Sequence, residues 1–217
     1  MKPALLLLVV AALLGLSGCL PVSQNPLSSP DTAVADARLA GVWAGKSGDD
    51  LVFLHFVQGK TEIMDAVEVD HPKDGDTNTH TYTVFPTVID GVHYLNVQDK
   101  KGTDKSYHLA RYQMTGSGTL TIWLMSEKPA IKAIESEKIS GKVGKKDPTS
   151  KVDTREVSIT ASTEHLAAFV SKSDPEVLFG EKFCTFKKLT IPPLDAAPSP
   201  TPKSDKPAAK KKKKSGG

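Results

Sequence analysis

Short strand-like segments separated by turn residues dominate the middle of the chain, and this pattern restricts the fold more than any other feature. Between residues 33 and 189, apolar and polar residues alternate with a period of two in segments about 8 to 15 residues apart. Turn residues separate several of them, as at Asp90-Gly91 and Lys73-Asp74-Gly75-Asp76. The predicted strands are 51–57, 61–69, 79–85, 92–97, 106–114, 119–125, 138–143, 154–160 and 182–189.

This pattern predicts a mainly β domain, an antiparallel meander that folds into a barrel or a sandwich. Helices are expected near its end. Ser162 can cap a helix over 163–171, and Asp174-Pro175 can begin a further turn that ends at Gly180. A short helix is also predicted over 129–137. The prediction is therefore a β domain with a helix before its last strand.

The N-terminus has the features of a removable export signal. Lys2 gives it a positive charge, and residues 4–16 are apolar or glycine. A helix of about 13 residues spans roughly 20 Å, which is less than the roughly 30 Å of a bilayer's hydrocarbon core. Residues 1–18 are therefore predicted to be a signal peptide.

The signal ends in Leu16-Ser17-Gly18-Cys19, which resembles the lipobox of bacterial lipoproteins. The resemblance implies a thioether-linked diacylglycerol on Cys19, cleavage before it and acylation of the new amine, for example with palmitate. Two or more acyl chains anchor stably, at about 0.8 kcal/mol per buried CH₂. Leu20 implies the outer membrane in a diderm host; otherwise the outer face of the cell membrane is expected. An ordinary signal peptide with an incidental cysteine is the alternative.

A second resemblance lies at residues 36–43. Gly41-Val42-Trp43 is similar to the opening of lipocalin-type barrels, where Gly-x-Trp enters the first strand and the tryptophan plugs the closed end. The resemblance implies a buried Trp43, with Gly41 letting the chain bend beneath the barrel. Lys187 or Lys188 would replace the family's arginine beside the tryptophan. We therefore predict a lipocalin-like β-barrel, with another barrel or a sandwich as the alternative.

Composition divides the chain into four regions. They are a signal peptide (1–18), the lipidated cysteine with a flexible tether (19–32), the β-barrel domain (33–191) and a disordered tail rich in Pro, Ala and Lys (192–217). The formal net charge is +3, but residues 195–217 carry seven lysines against Asp195 and Asp205. The basicity therefore belongs to the tail, and the domain is mildly acidic.

The tail ends in a run of five lysines, which is the expected contact for anionic lipid or another envelope polyanion. The run is Lys210, Lys211, Lys212, Lys213 and Lys214. A solvated tail without a partner is the alternative. Nucleic acid is not expected as a partner of an exported chain.

Catalytic motifs are absent or incomplete. Gly45-Lys46-Ser47 imitates the end of a phosphate-binding loop, but Ala40 stands where the loop requires glycine. His80, His93 and His108 lie on different predicted strands, where a shared metal is conceivable but surface or core-edge positions are the usual case. Cys184 is expected to be a small buried residue. The sequence therefore predicts no enzyme, cofactor or metal site, and it does not identify ligand-binding residues.

Three functions remain. The first is a membrane-anchored envelope lipoprotein whose barrel binds a small apolar ligand. The second is a structural or interaction lipoprotein that links the membrane to another envelope component without catalysis. The third is an enzyme with a site assembled from distant residues. An apolar cavity favours the first, a filled interior with an exposed apolar patch the second, and a cleft with clustered His and Asp the third.

Overall fold

The computed structural model describes residues 20–59, 61–102, 105–116, 118–146 and 155–190. Within these ranges, eight antiparallel strands close into a barrel. They are β2 (Gly41–Ser47), β3 (Asp50–Gln58), β4 (Met64–His71), β5 (Asn78–Ile89), β6 (Val92–Asp99), β7 (Tyr107–Thr115), β8 (Thr119–Leu124) and β11 (Glu181–Lys188). Three short strands extend the sheet beyond the barrel: β1 (Val22–Ser23), β9 (Gly141–Val143) and β10 (Val157–Ile159).

The last strand closes the barrel. Strands β2 to β8 form an up-and-down meander, and β6 pairs with β7 as well as with β5. Strand β11 returns after the helices and pairs antiparallel with both β8 and β2. The predicted mainly β, lipocalin-like barrel with a helix before its last strand is therefore confirmed, and the sandwich alternative is excluded.

The barrel has a closed end and an open end. Strand β2 starts at the closed end, where residues 36–40 pass beneath the barrel, and Ser47 reaches the open end. The apolar side chains that point inward near the closed end form a core in which each residue is at most 6 % exposed. This core includes Trp43, Leu54, Phe56, Met64, Leu95, Leu120 and Phe186. Such burial leaves no space for a ligand among these side chains, so this half of the interior is packed core.

Trp43 plugs the closed end as predicted. It is fully buried, and its Nε1 donates to the carbonyl oxygen of Leu39 at 2.7 Å. The Lys188 ammonium lies 5.1 Å from the centre of the indole ring and donates to the carbonyl oxygen of Arg38 at 2.9 Å. Gly41 has a φ of 121°, which side chains rarely adopt, and a Cβ there would lie 3.0 Å from Lys188. Lys188 is thus the basic partner of the tryptophan.

The segment between β8 and β11 packs on the outside of the barrel. It contains α1 (Glu127–Glu135), α2 (Thr163–Ser171) and α3 (Pro175–Leu178), and the Ser162 side chain caps α2 as predicted. Trp123 faces this outer layer and is half-buried beneath Arg111, whose guanidinium lies 4.3 Å from the ring. Trp123 is therefore more exposed than Trp43. Among the described residues, no helix has the length and hydropathy needed to cross a membrane.

Two predicted strands lie outside the barrel. The segments 138–143 and 154–160 contribute β9 and β10, which pair with each other. Strand β10 pairs in parallel with β1, and β1 pairs antiparallel with the first residues of β7. These short strands continue the sheet because β8 ends at Leu124 and leaves the start of β7 free to pair. The alternation of apolar and polar residues predicted these two strands but not that they lie outside the barrel.

The N-terminal segment differs most from expectation. Residues 19–32 were expected to form a flexible tether, but residues 20–32 lie against the barrel. Besides forming β1, the segment buries Leu27, whose backbone N–H donates to Asn96 Oδ1 at 2.6 Å. Ser28 and Thr87 share a hydrogen bond at 2.6 Å. Buried polar groups need such partners, and this segment supplies one to the fully buried Asn96.

Candidate functional site

The open end of the barrel differs from the closed end in polarity. Strand register places Glu68, Asp70 and Asp99 on inward positions of this half, and we call these three residues the carboxylate cluster. The strand register also places three further residues on inward positions: Tyr82, His80 and His108. Within the described strands, no lysine or arginine occupies an inward position of the open half. The open end is therefore an acidic, partly solvated mouth above an apolar core.

Glu68 is held by Tyr82 on the inward face of the open half. The Tyr82 hydroxyl donates to Glu68 Oε2 at 2.9 Å across the β4–β5 pair. Burial raises the pKa of Glu68, although the Tyr82 hydrogen bond works in the opposite direction. Burial and the nearby Glu68 carboxylate both raise the pKa of Tyr82. An ionised Glu68 is thus costly in this buried position, and a cation placed beside it would reduce that cost.

Two further polar atoms of the mouth are buried without a protein partner. Asp70 Oδ1 and His108 Nδ1 have no hydrogen bond within the described part of the chain. Burial lowers the pKa of His108, while the Pro21 backbone and the Asp99 charge act in the opposite direction. Buried polar groups are usually paired, and an unpaired one costs free energy. Among the described residues, these are the unsatisfied polar atoms of the open half.

Cys184 lies inward on β11 beside the mouth. Its Sγ is 3.2 Å from the Lys46 carbonyl oxygen, and burial raises the pKa of the thiol to about 11. A Cβ on Gly45 would lie 2.5 Å from this sulfur, so only glycine fits the neighbouring strand. A neutral buried thiol is a poor nucleophile. Cys184 is the packing residue that the sequence predicted.

The closed end holds a separate polar group. The Arg38 guanidinium donates to both oxygens of Asp36, at 2.8 and 2.7 Å, and the Tyr112 hydroxyl donates to Asp36 at 3.0 Å. Hydrogen bonding from Arg38 lowers the pKa of Asp36 despite partial burial. His93 lies 3.5 Å from the same hydroxyl. Each member has a protein partner, so this group holds the chain beneath the barrel.

The three histidines considered for a metal site point inward but lie at different heights. His93 is near the closed end beside Tyr112, His108 pairs with Val97 in the open half, and His80 is exposed at the rim. Among the described residues, no group of three or more His, Cys, Asp or Glu side chains is arranged to hold a metal ion. The structure does not bring the histidines together.

The carboxylate cluster was missed by sequence reasoning, although a signal for it exists. On β4, Glu68 and Asp70 follow Met64 and Ala66 at intervals of two residues. Both apolar residues are buried in the barrel core, so the two acids must share their face. Acidic residues on the apolar face of a strand are unusual in a packed core. Their position distinguishes them from the acids on the outward face of the barrel.

A second concave surface lies on the outer layer, between α1 and the α2–α3 segment. This helical groove has a volume of about 1090 Å³. Its floor is apolar and includes Phe169 and Val177, the latter 59 % exposed. Lysines on the rim outnumber the acidic residues there: Lys128, Lys132, Lys138 and Lys172 against Glu137 and Asp174. The groove therefore suits an acidic amphipathic partner.

Comparisons with protein-family models, with curated proteins and with solved structures gave no match. Cys19 and the tail lysines Lys210 to Lys214 lie outside the described residues. The lipid anchor and the tail contacts stay predictions from sequence.

Proposed function

We propose that this chain is an exported, lipid-anchored binding protein that holds a small ammonium-bearing ligand at the open end of its barrel. The observation that supports it is the carboxylate cluster, three inward acids without an inward lysine or arginine in the described strands. Charge-assisted hydrogen bonds to carboxylates are stronger than neutral ones. The filled closed half favours this polar ligand over the apolar ligand expected from sequence.

An ammonium ion suits the mouth better than a metal ion. The described acids and histidines do not gather into a group of three that could coordinate one ion. An ammonium nitrogen can be held by as few as two acceptors at hydrogen-bond distance, while its remaining donors bind water. Glu68 gives a strong acceptor, and the unpaired Asp70 Oδ1 gives another. The proposal requires binding alone and contains no catalytic step.

The test is an NMR titration of the full chain in non-ionic detergent with ethanolamine, using ethylene glycol as the neutral counterpart. We expect backbone shifts near Glu68, Tyr82 and His108 with a Kd on the order of 1 mM, and none with ethylene glycol. Glu68→Gln removes the shifts. Asp65→Asn is the matched control, because Asp65 lies on β4 but faces outward. Equal shifts with both compounds, or none with either, would refute the ammonium site.

Membrane attachment through Cys19 is part of the proposal. The resemblance of Leu16-Ser17-Gly18-Cys19 to the lipobox supports it. We expect Cys19→Ala to abolish membrane association, measured by fractionation after a high-salt wash. A variant that still pellets with membranes would show that lipid on Cys19 is not the anchor.

The tail adds a salt-dependent contact with anionic surfaces in this proposal. Deleting residues 210–214 is expected to lower binding to anionic vesicles at low salt without changing the thermal midpoint, because five lysines are removed and no packed group is. Unchanged vesicle binding would contradict this contact and support the alternative, a solvated tail without a partner.

The helical groove supports a second candidate, an interaction lipoprotein that links the membrane to an acidic amphipathic segment of another envelope protein. Its lysine rim and apolar floor are the observations that favour it. Pull-down of envelope proteins with the full chain tests it. Captured proteins should be lost in Lys132→Glu and kept in Lys142→Glu, a control on β9 outside the groove lining. Capture that survives Lys132→Glu would contradict the groove as the contact.

A further inference from the structure

A recess lies on the outer wall of the barrel, where β2 and β11 separate. Strand β11 pairs with β2 only from Lys188 to Thr185, although its other edge pairs with β8 as far as Glu181. The β8 pairing also shifts its register between Lys182 and Cys184. Within the described strands, the first residues of β11 therefore have no partner on β2. The recess beside them has a volume of about 580 Å³.

The uncharged part of the lining combines main chain with an apolar wall. A Cβ on Gly45 would lie 2.5 Å from the sulfur on the neighbouring strand, so no side chain fits there, and a Cβ at Gly48 would meet open space. The apolar wall consists of Ala44, Leu51 and Phe183, and Leu51 is 37 % exposed. The recess therefore has room for a small molecule and an apolar surface for it to contact.

The charged part of the lining is basic. Among the described residues that line the recess, the charged ones are Lys46, Lys182 and Lys187. All three are exposed, and none forms an ion pair with a described residue. Lys187 Nζ instead donates to the neutral Thr119 hydroxyl at 2.6 Å. The recess therefore gathers three positive charges without a described carboxylate partner.

The acids closest in sequence face elsewhere. Within the described residues, β8, β11, β2 and β3 carry no acid on their outward positions. Glu181 pairs with Leu124, which packs against the barrel core, so Glu181 belongs to the inward face. At the β2–β3 hairpin, Asp49 forms an ion pair with Lys73 at 3.5 Å, and Asp50 accepts from the Lys73 backbone N–H at 3.0 Å. The basic character of this outer face is therefore not offset locally.

We propose that the recess binds a phosphate monoester whose organic group is small and apolar. Such a phosphate carries nearly two negative charges at pH 7, which suits three lysines better than the single charge of a carboxylate. The Thr185 hydroxyl supplies a further donor, and the apolar wall contacts the organic group. The volume lies within the roughly 300 to 1,000 Å³ of small-molecule sites. This site is separate from the carboxylate cluster, so the proposal does not depend on the ammonium ligand.

The test is an NMR titration of the full chain in non-ionic detergent with phenyl phosphate. Inorganic phosphate and phenol represent the two parts of this probe. We expect backbone shifts at Lys46, Gly48 and Thr185 with phenyl phosphate, and binding about tenfold weaker for each part alone, because each lacks one set of contacts. Binding should also weaken as salt is added, since exposed charges are screened. Absence of shifts with phenyl phosphate would overturn the site, equal binding of phenol would overturn phosphate recognition, and equal binding of inorganic phosphate would overturn the role of the apolar wall.

Charge-removing variants locate the binding. Lys46→Gln and Lys182→Gln should each weaken phenyl phosphate binding about fivefold, the effect of one charge at about 4 Å in water. Both lysines are exposed, so the rest of the spectrum should stay that of the folded chain. Lys101→Gln is the matched control, at an exposed lysine in the turn after β6 that does not line the recess. An equal loss in Lys101→Gln would indicate attraction to net charge alone and would overturn the site.

A lipid and a soluble compound could both supply the phosphate monoester, and phosphatidic acid in the same detergent micelles distinguishes them. Shifts at Gly48 and Thr185 at a lower total concentration than phenyl phosphate requires would support the site and assign it to a lipid phosphate. Shifts with phenyl phosphate alone would support the site and assign it to a soluble compound. Absence of shifts with either probe would overturn the proposal.

Discussion

Trp43 is held at its ring edge and on its ring face by groups from two different parts of the chain. Leu39 accepts from the indole nitrogen, and Lys188 covers the ring from the last strand. The residue therefore ties the start of the barrel to its end. A three-residue motif was enough to predict its burial, because glycine and tryptophan at that spacing have a specific backbone and packing role.

Trp43→Ala should destabilise the domain by about 3 to 5 kcal/mol, the range for deleting a large core aromatic. Urea unfolding of the full chain in detergent measures the change. Trp123→Ala is the internal control, since Trp123 is half-buried under Arg111 on the outer face and its loss should cost less. A cost below about 1 kcal/mol for Trp43→Ala would contradict its role as the closed-end plug.

At the scale of elements, the N-terminal segment and the helices cover different parts of the outer face of the barrel. Leu27 covers buried Asn96 on the outer face of β5 and β6, and Arg111 stacks on Trp123 beneath the helices. Each covering element is short, but each contacts buried groups that would otherwise meet water. The outer layer is therefore part of the folded domain.

Leu27→Ala should destabilise the domain by about 2 to 4 kcal/mol, because Leu27 is 2 % exposed and its loss opens a cavity over Asn96. Leu20→Ala, at a residue 37 % exposed, is the matched control and should cost less than about 1 kcal/mol. Both are measured by urea unfolding. Equal small effects for the two variants would mean that residues 20–32 behave as the tether expected from sequence.

The same segment shows why sequence reasoning succeeded for the barrel and failed for its edge. Barrel strands are long enough for the alternation of apolar and polar residues to be recognised, and Ser162 indicates the start of α2 as its N-cap. Strand β1 has two residues between prolines and carries no periodic signal. The carboxylate cluster could not be predicted for a different reason. Its acids are evident in the sequence, but only the strand register shows that Asp99 and Glu68 both point inward in the open half.

At the scale of the whole molecule, the barrel is divided into a packed half and a charged half. The packed half supplies stability through the core around Trp43, and the open half holds Glu68, whose ionisation burial makes costly. Because burial raises the pKa of Glu68, its stabilising effect belongs to the protonated form. That effect is present below the unfolded-state pKa and is lost as pH rises through the folded-state pKa. A bound ammonium would reverse this loss at neutral pH.

The pKa of the Glu68 side chain, followed by carbon NMR of the labelled full chain with and without saturating ethanolamine, tests the ammonium site most directly. Glu68→Gln identifies the signal. We predict a pKa above the ordinary glutamate value in the free protein, because of burial, and a clear fall when the ammonium is bound. A Glu68 pKa that ethanolamine leaves unchanged would contradict the cation-binding mouth.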